Sequence, residues 1–188
     1  MMHAGADPLK KRRIAVLGSR SVGKSSLVFQ YTENNFVEAY YPTIEATYTK
    51  NIKYNGVEYD CDIIDTAGQD EFSILNSKHA VGIHGYVLVY NVANRNSFEM
   101  IQIVHDKILD YSGETTVPCV VVGQKCDLAD QRQVQQAEAQ KLAANIHSAF
   151  VETSARTNTN VGKVFELLLA EIEKSTNPAP EPKQCVIM

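Results

Sequence analysis

The chain has 188 residues, 44% of them hydrophobic and 21% charged, with a formal net charge of −4. That length supports one domain with a sizeable core, and the acidic balance excludes a general nucleic-acid binder, which carries a basic excess. No apolar run approaches the roughly 18 residues that span a bilayer, and "MMHAGADPLKKRR" has neither the apolar core of a secretory signal nor the Met-Gly start of a myristoylated chain.

Taken in chain order, residues 1–11 read as a flexible arm. The basic run Lys10 to Arg13 reads as a solvated lead-in to the first strand, with a nuclear signal or membrane patch as the other reading. "RIAVLG" (13–18) is predicted as a buried strand and "SLVFQYTENN" as the helix that follows. Residues 48–65 form a predicted hairpin with Asn55-Gly56 as its turn. Three more strands are predicted at 85–92, 117–123 and 148–153, with helical patterns between them. In the last helix Val161, Val164, Phe165, Leu168 and Ile172 share one face, behind Asn160 as N-cap.

Strands alternating with helices imply an α/β fold: a mostly parallel, doubly wound sheet with helices on both faces and, from the hairpin, one antiparallel edge strand. Ligands of such sheets bind in the loops at the carboxyl ends of the strands. From Ser175 onward, "STNPAPEPKQCVIM" has three prolines and no periodicity, so it reads as a flexible tail. The spacing of Cys61, Cys119, Cys126 and Cys185 matches no zinc pattern. Cys61 and Cys119 lie in predicted strands as small core residues, which suits a reducing, intracellular setting. The five histidines show no paired spacing suited to a metal.

Gly18-x-x-x-x-Gly23-Lys24-Ser25 falls between the first strand and the first helix, the context that gives this pattern meaning. Backbone N–H groups of Ser21 to Ser25 and a helix N-terminus can face a polyphosphate, with Gly23 permitting close approach. Lys24 supplies a charge to the outer phosphates and Ser25 a hydroxyl to Mg²⁺. Arg20 and Ser21 stand where glycines would be expected. Their side chains are expected to point out of the loop; the other reading of Arg20 is an internal arginine finger.

Gln124-Lys125-Cys126-Asp127 follows the fifth strand. The Asp127 carboxylate can accept from the N1–H and 2-amino group of guanine, whereas adenine would leave it unpaired. The stem of Lys125 can lie along the base. Thr153-Ser154-Ala155 offers backbone N–H groups to guanine O6. Asp65-Thr66-Ala67-Gly68-Gln69 ends the hairpin: Asp65 can hold Mg²⁺ through water, Gly68 can donate to a γ-phosphate, and Gln69 can orient an attacking water. Thr43, before the hairpin, can complete the Mg²⁺ shell while the γ-phosphate is present, which makes it a sensor.

These motifs resemble those of the Ras superfamily of small GTPases over residues 12–174, and within it the Rheb family. "GSRSVGKSSLVFQY", "YPTIEATYTK", "DTAGQDEFSIL" and "GYVLVYNV" carry the likeness. Arg20 and Ser21 are a Rheb-type feature. The resemblance implies a P-loop G domain and slow GTP hydrolysis, with Gln69, Thr43 and Tyr40 at the reacting phosphate. It adds Val22, Ser26 and Val37 to the nucleotide site, packs Phe36 against guanine and closes Tyr40 over the phosphates. It places an effector surface at 40–48 and a second switch at 68–79. Its implied partners are the TOR kinase complex and a tuberin-type activating protein, which supplies an asparagine in place of an arginine. The chain is expected to be monomeric.

Two departures stand out. The family's base motif begins with Asn, and Gln124 changes the reach to the base and the phosphate loop, so weaker nucleotide binding is expected. Ala46 replaces the polar or acidic residue of relatives, which argues against Ras-type kinase effectors. Cys185-Val186-Ile187-Met188 reads as a farnesylation signal, with farnesyltransferase as a further partner. One chain without a polybasic run gives reversible anchoring, so exchange between the cytosol and endomembrane surfaces is expected. Two other readings stay open: a nucleotide-loaded interaction module that hardly turns over, and a phosphotransferase using ATP, which Asp127 disfavours.

Overall fold

A computed structural model describes residues 10–38, 42–68 and 82–176. Tyr40, Gln69, most of the second-switch segment, the start of the arm and the tail with Cys185 lie outside the described residues. The elements run β1 (Lys10–Gly18), α1 (Lys24–Glu33), β2 (Ala46–Tyr54), β3 (Val57–Asp65), β4 (Gly85–Asn91), α2 (Arg95–Ser112), β5 (Cys119–Gln124), α3 (Gln136–Asn145), β6 (Ala149–Thr153) and α4 (Val161–Thr176), with a 3-10 turn at Ala129–Gln131.

One six-stranded sheet has the order β2-β3-β1-β4-β5-β6. Only the β2–β3 pair is antiparallel, and Asn55 and Gly56 join it at φ 47 and 78, the positive values a tight hairpin turn requires. Strands β4 and β5 are apolar almost throughout because both faces are covered. Alternate residues go to opposite sides. Val16, Val87, Val89, Val120 and Val122 pack with α1 and α4 residues, while Leu17, Leu88, Tyr90 and Val121 pack with α2 and α3 residues. The predicted stripe of α4 is buried, joined by Leu169, and Phe165 stacks on Tyr31 at 4.0 Å between ring centroids.

Three sequence expectations shift. The basic run is not a lead-in: Lys10 and Lys11 already pair with Tyr59 and Asp60 in β1. Glu173 binds Arg12 at 2.9 Å, and Tyr59 lies beneath the Lys10 and Arg12 cations, so remote partners extend the strand into the expected arm. Ser175 and Thr176 belong to α4, and both hydroxyls donate to the Ile172 carbonyl at 2.8 Å. Asn160 sits at φ 54, outside the extended region of an ordinary N-cap, and its side-chain amide donates to the Glu152 carbonyl at 3.0 Å, tying α4 to β6.

Candidate functional site

The carboxyl ends of β1, β3, β5 and β6 converge on a cavity of about 370 Å³. At one end lies the phosphate loop. Gly23, at φ 106, precedes α1, whose first backbone bond runs from Leu27 N–H to Gly23 O at 2.9 Å. The N–H groups of a helix's first turn have no intrahelical partner, and Lys24, Ser25 and Ser26 of that turn line the cavity. The buried Lys24 ammonium donates to the carbonyls of Gly18 and Ser19 at 3.0 and 2.9 Å. Burial lowers its pKa to about 8, with the Asp65 charge acting the other way. A phosphate placed beside it would raise that value by favouring the charged ammonium, so the loop suits an anion.

Three hard oxygen donors meet next to Lys24. The Ser25 and Thr43 hydroxyls are 2.7 Å apart. Asp65 is buried, and its Oδ1 has no hydrogen-bond partner among the described residues. Burial pushes the Asp65 carboxyl up, against a hydrogen bond from Ser25 and the Lys24 charge. Two hydroxyls and an orphaned carboxylate oxygen fit Mg²⁺, which takes few protein ligands and keeps several waters. Among the described residues no group of three or more His, Cys, Asp or Glu could hold a metal; this donor set is built mainly from hydroxyls.

At the other end Lys125 and Asp127 line the cavity with Phe36, Val37 and Ala155. Lys125 Nζ donates to Ser21 O at 2.9 Å, and burial lowers its pKa against the pull of Asp127. Gln124 is 1% exposed. Its Nε2 donates to Gly23 O at 3.3 Å, and its Oε1 accepts from Lys125 N–H at 3.1 Å and Thr153 Oγ1 at 2.8 Å. One side chain thus links three loops.

The structure brings Ser21, Gly23, Lys24, Ser25, Ser26, Phe36, Val37, Thr43, Gly68, Gln124, Lys125, Asp127 and Ala155 to one cavity. Val22 instead anchors the loop in the core. Ser154 lies at the start of the turn beside the cavity: its N–H donates to Thr159 O at 3.1 Å, and its hydroxyl accepts from Thr157 N–H at 3.2 Å. Its amide is spent shaping the 154–159 turn, which leaves Ala155 to face the cavity. Arg20 is exposed at the mouth, where its backbone and Cγ lie against Gly68. Leu128, Glu38 and Arg156 also line the cavity, and the last two form an ion pair at 3.5 Å. Only their adjacency to Asp127, Val37 and Ala155 could have signalled them.

A phosphate loop after the first strand, an acidic strand end beside it, and Lys125, Asp127 and Ala155 at the neighbouring strand ends of the same cavity define a P-loop G domain. The Ras family model matches residues 13–174, and the chain belongs to the Ras family of small GTPases, enzymes that bind guanine nucleotides and hydrolyse GTP to GDP and phosphate. It is 62% identical over 182 residues to "GTP-binding protein rhb1" of Schizosaccharomyces pombe, covering 96% of this chain and 98% of that protein. It is 54% identical over 182 residues to "Small monomeric GTPase RhbA" of Aspergillus fumigatus, covering 95% and 97%. With human "GTP-binding protein Rheb" it shares 45% over 180 residues, covering 95% and 98%. The chain is a Rheb-like member of the family. Among the described residues no helix is long and apolar enough to cross a membrane.

Proposed function

We propose that this chain is a Rheb-type switch: it holds GTP or GDP with Mg²⁺, hydrolyses GTP slowly unaided, and in the GTP form activates the TOR kinase complex. The observation that carries this reading is the polarity of the cavity. Lys24, Ser25, Thr43 and the orphaned Asp65 oxygen gather at one end, and Lys125, Asp127 and Ala155 at the other. A nucleoside triphosphate has its charge at one end and its base at the other.

In this reading the backbone of Ser21, Val22, Gly23, Lys24, Ser25 and Ser26 surrounds the phosphates, while the Val22 side chain stays in the core. Asp127 reads guanine, Lys125 and Phe36 cover its faces, and Val37 lines the sugar side. Ser25, Thr43 and, through water, Asp65 hold Mg²⁺, which when bound offsets phosphate charge. Gly68 donates its N–H to the γ-phosphate, Gln69 orients the attacking water, and Tyr40 shields the phosphates. Arg20 at the mouth crowds an incoming arginine, which suits an activating protein of tuberin type that brings an asparagine. Residues 12–174 form the catalytic domain. Cys185 takes a farnesyl group from farnesyltransferase and anchors the chain reversibly to the cytosolic face of endomembranes.

Single-turnover GTP hydrolysis with and without a tuberin-type activator tests this. The expected unaided rate is on the order of 10⁻⁴ s⁻¹, rising by orders of magnitude with activator. An activator that leaves the rate unchanged would instead support a nucleotide-loaded module with negligible turnover.

A further inference from the structure

Two side chains outside the cavity brace its base end. Arg132 donates from Nη1 to Glu152 Oε1 at 2.7 Å and from Nη2 to Oε2 at 2.8 Å, a two-bond fork. Nη1 also donates to Val134 O at 3.0 Å. The side chains are only 19% and 13% exposed. Glu152 lies in β6 immediately before Thr153-Ser154-Ala155. Arg132 closes the segment that leaves β5 through Lys125 and Asp127 and passes the turn at Ala129–Gln131.

The Asp127 loop is therefore fastened to β6 at two points. At its start Cys126 N–H donates to Thr153 O at 3.0 Å; at its end Arg132 grips Glu152. Asp127 sits between them, exposed. Tyr90, Gly123 and Glu152 are cross-strand neighbours in register. A side chain at Gly123 would strike the Tyr90 hydroxyl at 2.7 Å and Glu152 Cγ at 3.2 Å. The bare backbone at 123 is what lets Glu152 lie flat over β5 and meet Arg132.

We propose that Arg132 and Glu152 form a positioning pair that sets guanine specificity, by fixing the Asp127 carboxylate at a set distance from the Ala155 turn. This rests on the placement of guanine between Asp127 and Ala155. Neither partner lines the cavity, so the pair acts through Asp127 and not by touching the base.

The test compares GDP with inosine diphosphate, which lacks the 2-amino group that gives Asp127 its second bond. The wild type should prefer GDP by about tenfold or more, the value of a hydrogen bond to a charged group. In Arg132→Met, GDP binding should weaken about tenfold and inosine diphosphate binding only about twofold, so the preference shrinks. Glu152→Gln keeps acceptor and packing without the charge and should fall between; it also serves should Arg132→Met fold poorly. Equal losses for the two nucleotides, or an undiminished preference in both variants, overturn the proposal and leave the base placement standing. A wild type that binds the two nucleotides alike overturns the placement of the base, and the proposal with it.

Discussion

The Ser25 hydroxyl lies 2.7 Å from the Thr43 hydroxyl, joining the start of α1 to the segment before β2 across 18 residues of chain. Beside Thr43, Ile44 is 90% exposed. One residue meets Ser25 in the cavity and the next faces solvent, so under the proposed function a metal held by Thr43 would also fix the outer surface at Ile44. Thr43→Ala should therefore speed release of a non-hydrolysable GTP analogue about tenfold and reduce its dependence on Mg²⁺. GDP release should change by less than about threefold, or 0.6 kcal/mol. Thr43→Ser should restore the analogue's retention. Stopped-flow release of fluorescent nucleotides checks this, and equal effects on both nucleotides would refute the sensor role.

Gln124 gives a prediction against the family pattern. Changing it to the usual Asn shortens the side chain by about 1.5 Å. The loops here are spaced for Gln, whose amide bonds Gly23, Lys125 and Thr153. Asn should lose at least one of these buried bonds, each contributing about 1 kcal/mol. GDP release should then be about five to ten times faster. Slower release in Gln124→Asn would mean that the Gln is a compromise and not a fit.

Much of this site is legible in the sequence because its chemistry is local. The phosphate loop needs its residues at fixed offsets, and the Asn55-Gly56 turn carries its own backbone preference. The unbroken apolar runs of β4 and β5 reflect burial on both faces. What is not legible depends on distant partners. That β1 begins at Lys10 follows from Glu173 and Tyr59. That Ser154 spends its amide on Thr159 follows from a turn in which Asn158 and Asn160 both take positive φ. The Arg132–Glu152 fork spans 20 residues with no motif to announce it.

The Tyr90 hydroxyl is buried with no hydrogen-bond partner among the described residues. Its ring keeps an edge-on contact with Phe98 at 5.1 Å between centroids. Tyr90→Phe removes the unsatisfied oxygen and retains the ring. Stability should be unchanged or higher by up to about 1 kcal/mol, a melting shift of zero to about +4 °C. A fall of several degrees in thermal unfolding would show that the hydroxyl is satisfied, by water or otherwise.

The cysteines should react in a fixed order. Burial pushes the Cys61 thiol up to about 12 and the Cys119 thiol up to about 11. The reactive species is the thiolate, so a raised pKa leaves less of it at pH 8. Cys126 is also raised, mainly by burial, but it is half-buried in place of fully enclosed. Under native conditions at pH 8, iodoacetamide should label Cys126 well before Cys61 and Cys119. Its labelling rate should climb as pH rises from 7 to 9. Peptide mapping by mass spectrometry reads the order, and early labelling of Cys119 would contradict the burial of β5.

Gly68 packs directly against Arg20 of the phosphate loop. A methyl group at position 68 would lie 2.5 Å from Arg20 Cα and 2.6 Å from Arg20 N, and would also strike its Cγ. Two of these three atoms are backbone of the phosphate loop, which cannot swing aside as a side-chain end can. Gly68→Ala should force the 66–68 segment away from the loop, and the Gly68 N–H away from any γ-phosphate. The loss of one preorganised donor costs about 3 kcal/mol in the transition state, a hundredfold or more in rate. GDP affinity should change little, because the proposed partner of the displaced N–H is a phosphate that GDP lacks. Arg20→Ala alone should leave GDP affinity nearly intact, since its exposed side chain lies at the mouth. The double variant decides between side-chain and backbone crowding. If the clash is with backbone, as the distances indicate, Arg20→Ala does not rescue Gly68→Ala in single-turnover hydrolysis. Recovery of the rate in the double variant would show that the Arg20 side chain alone sets the spacing between the phosphate loop and Gly68.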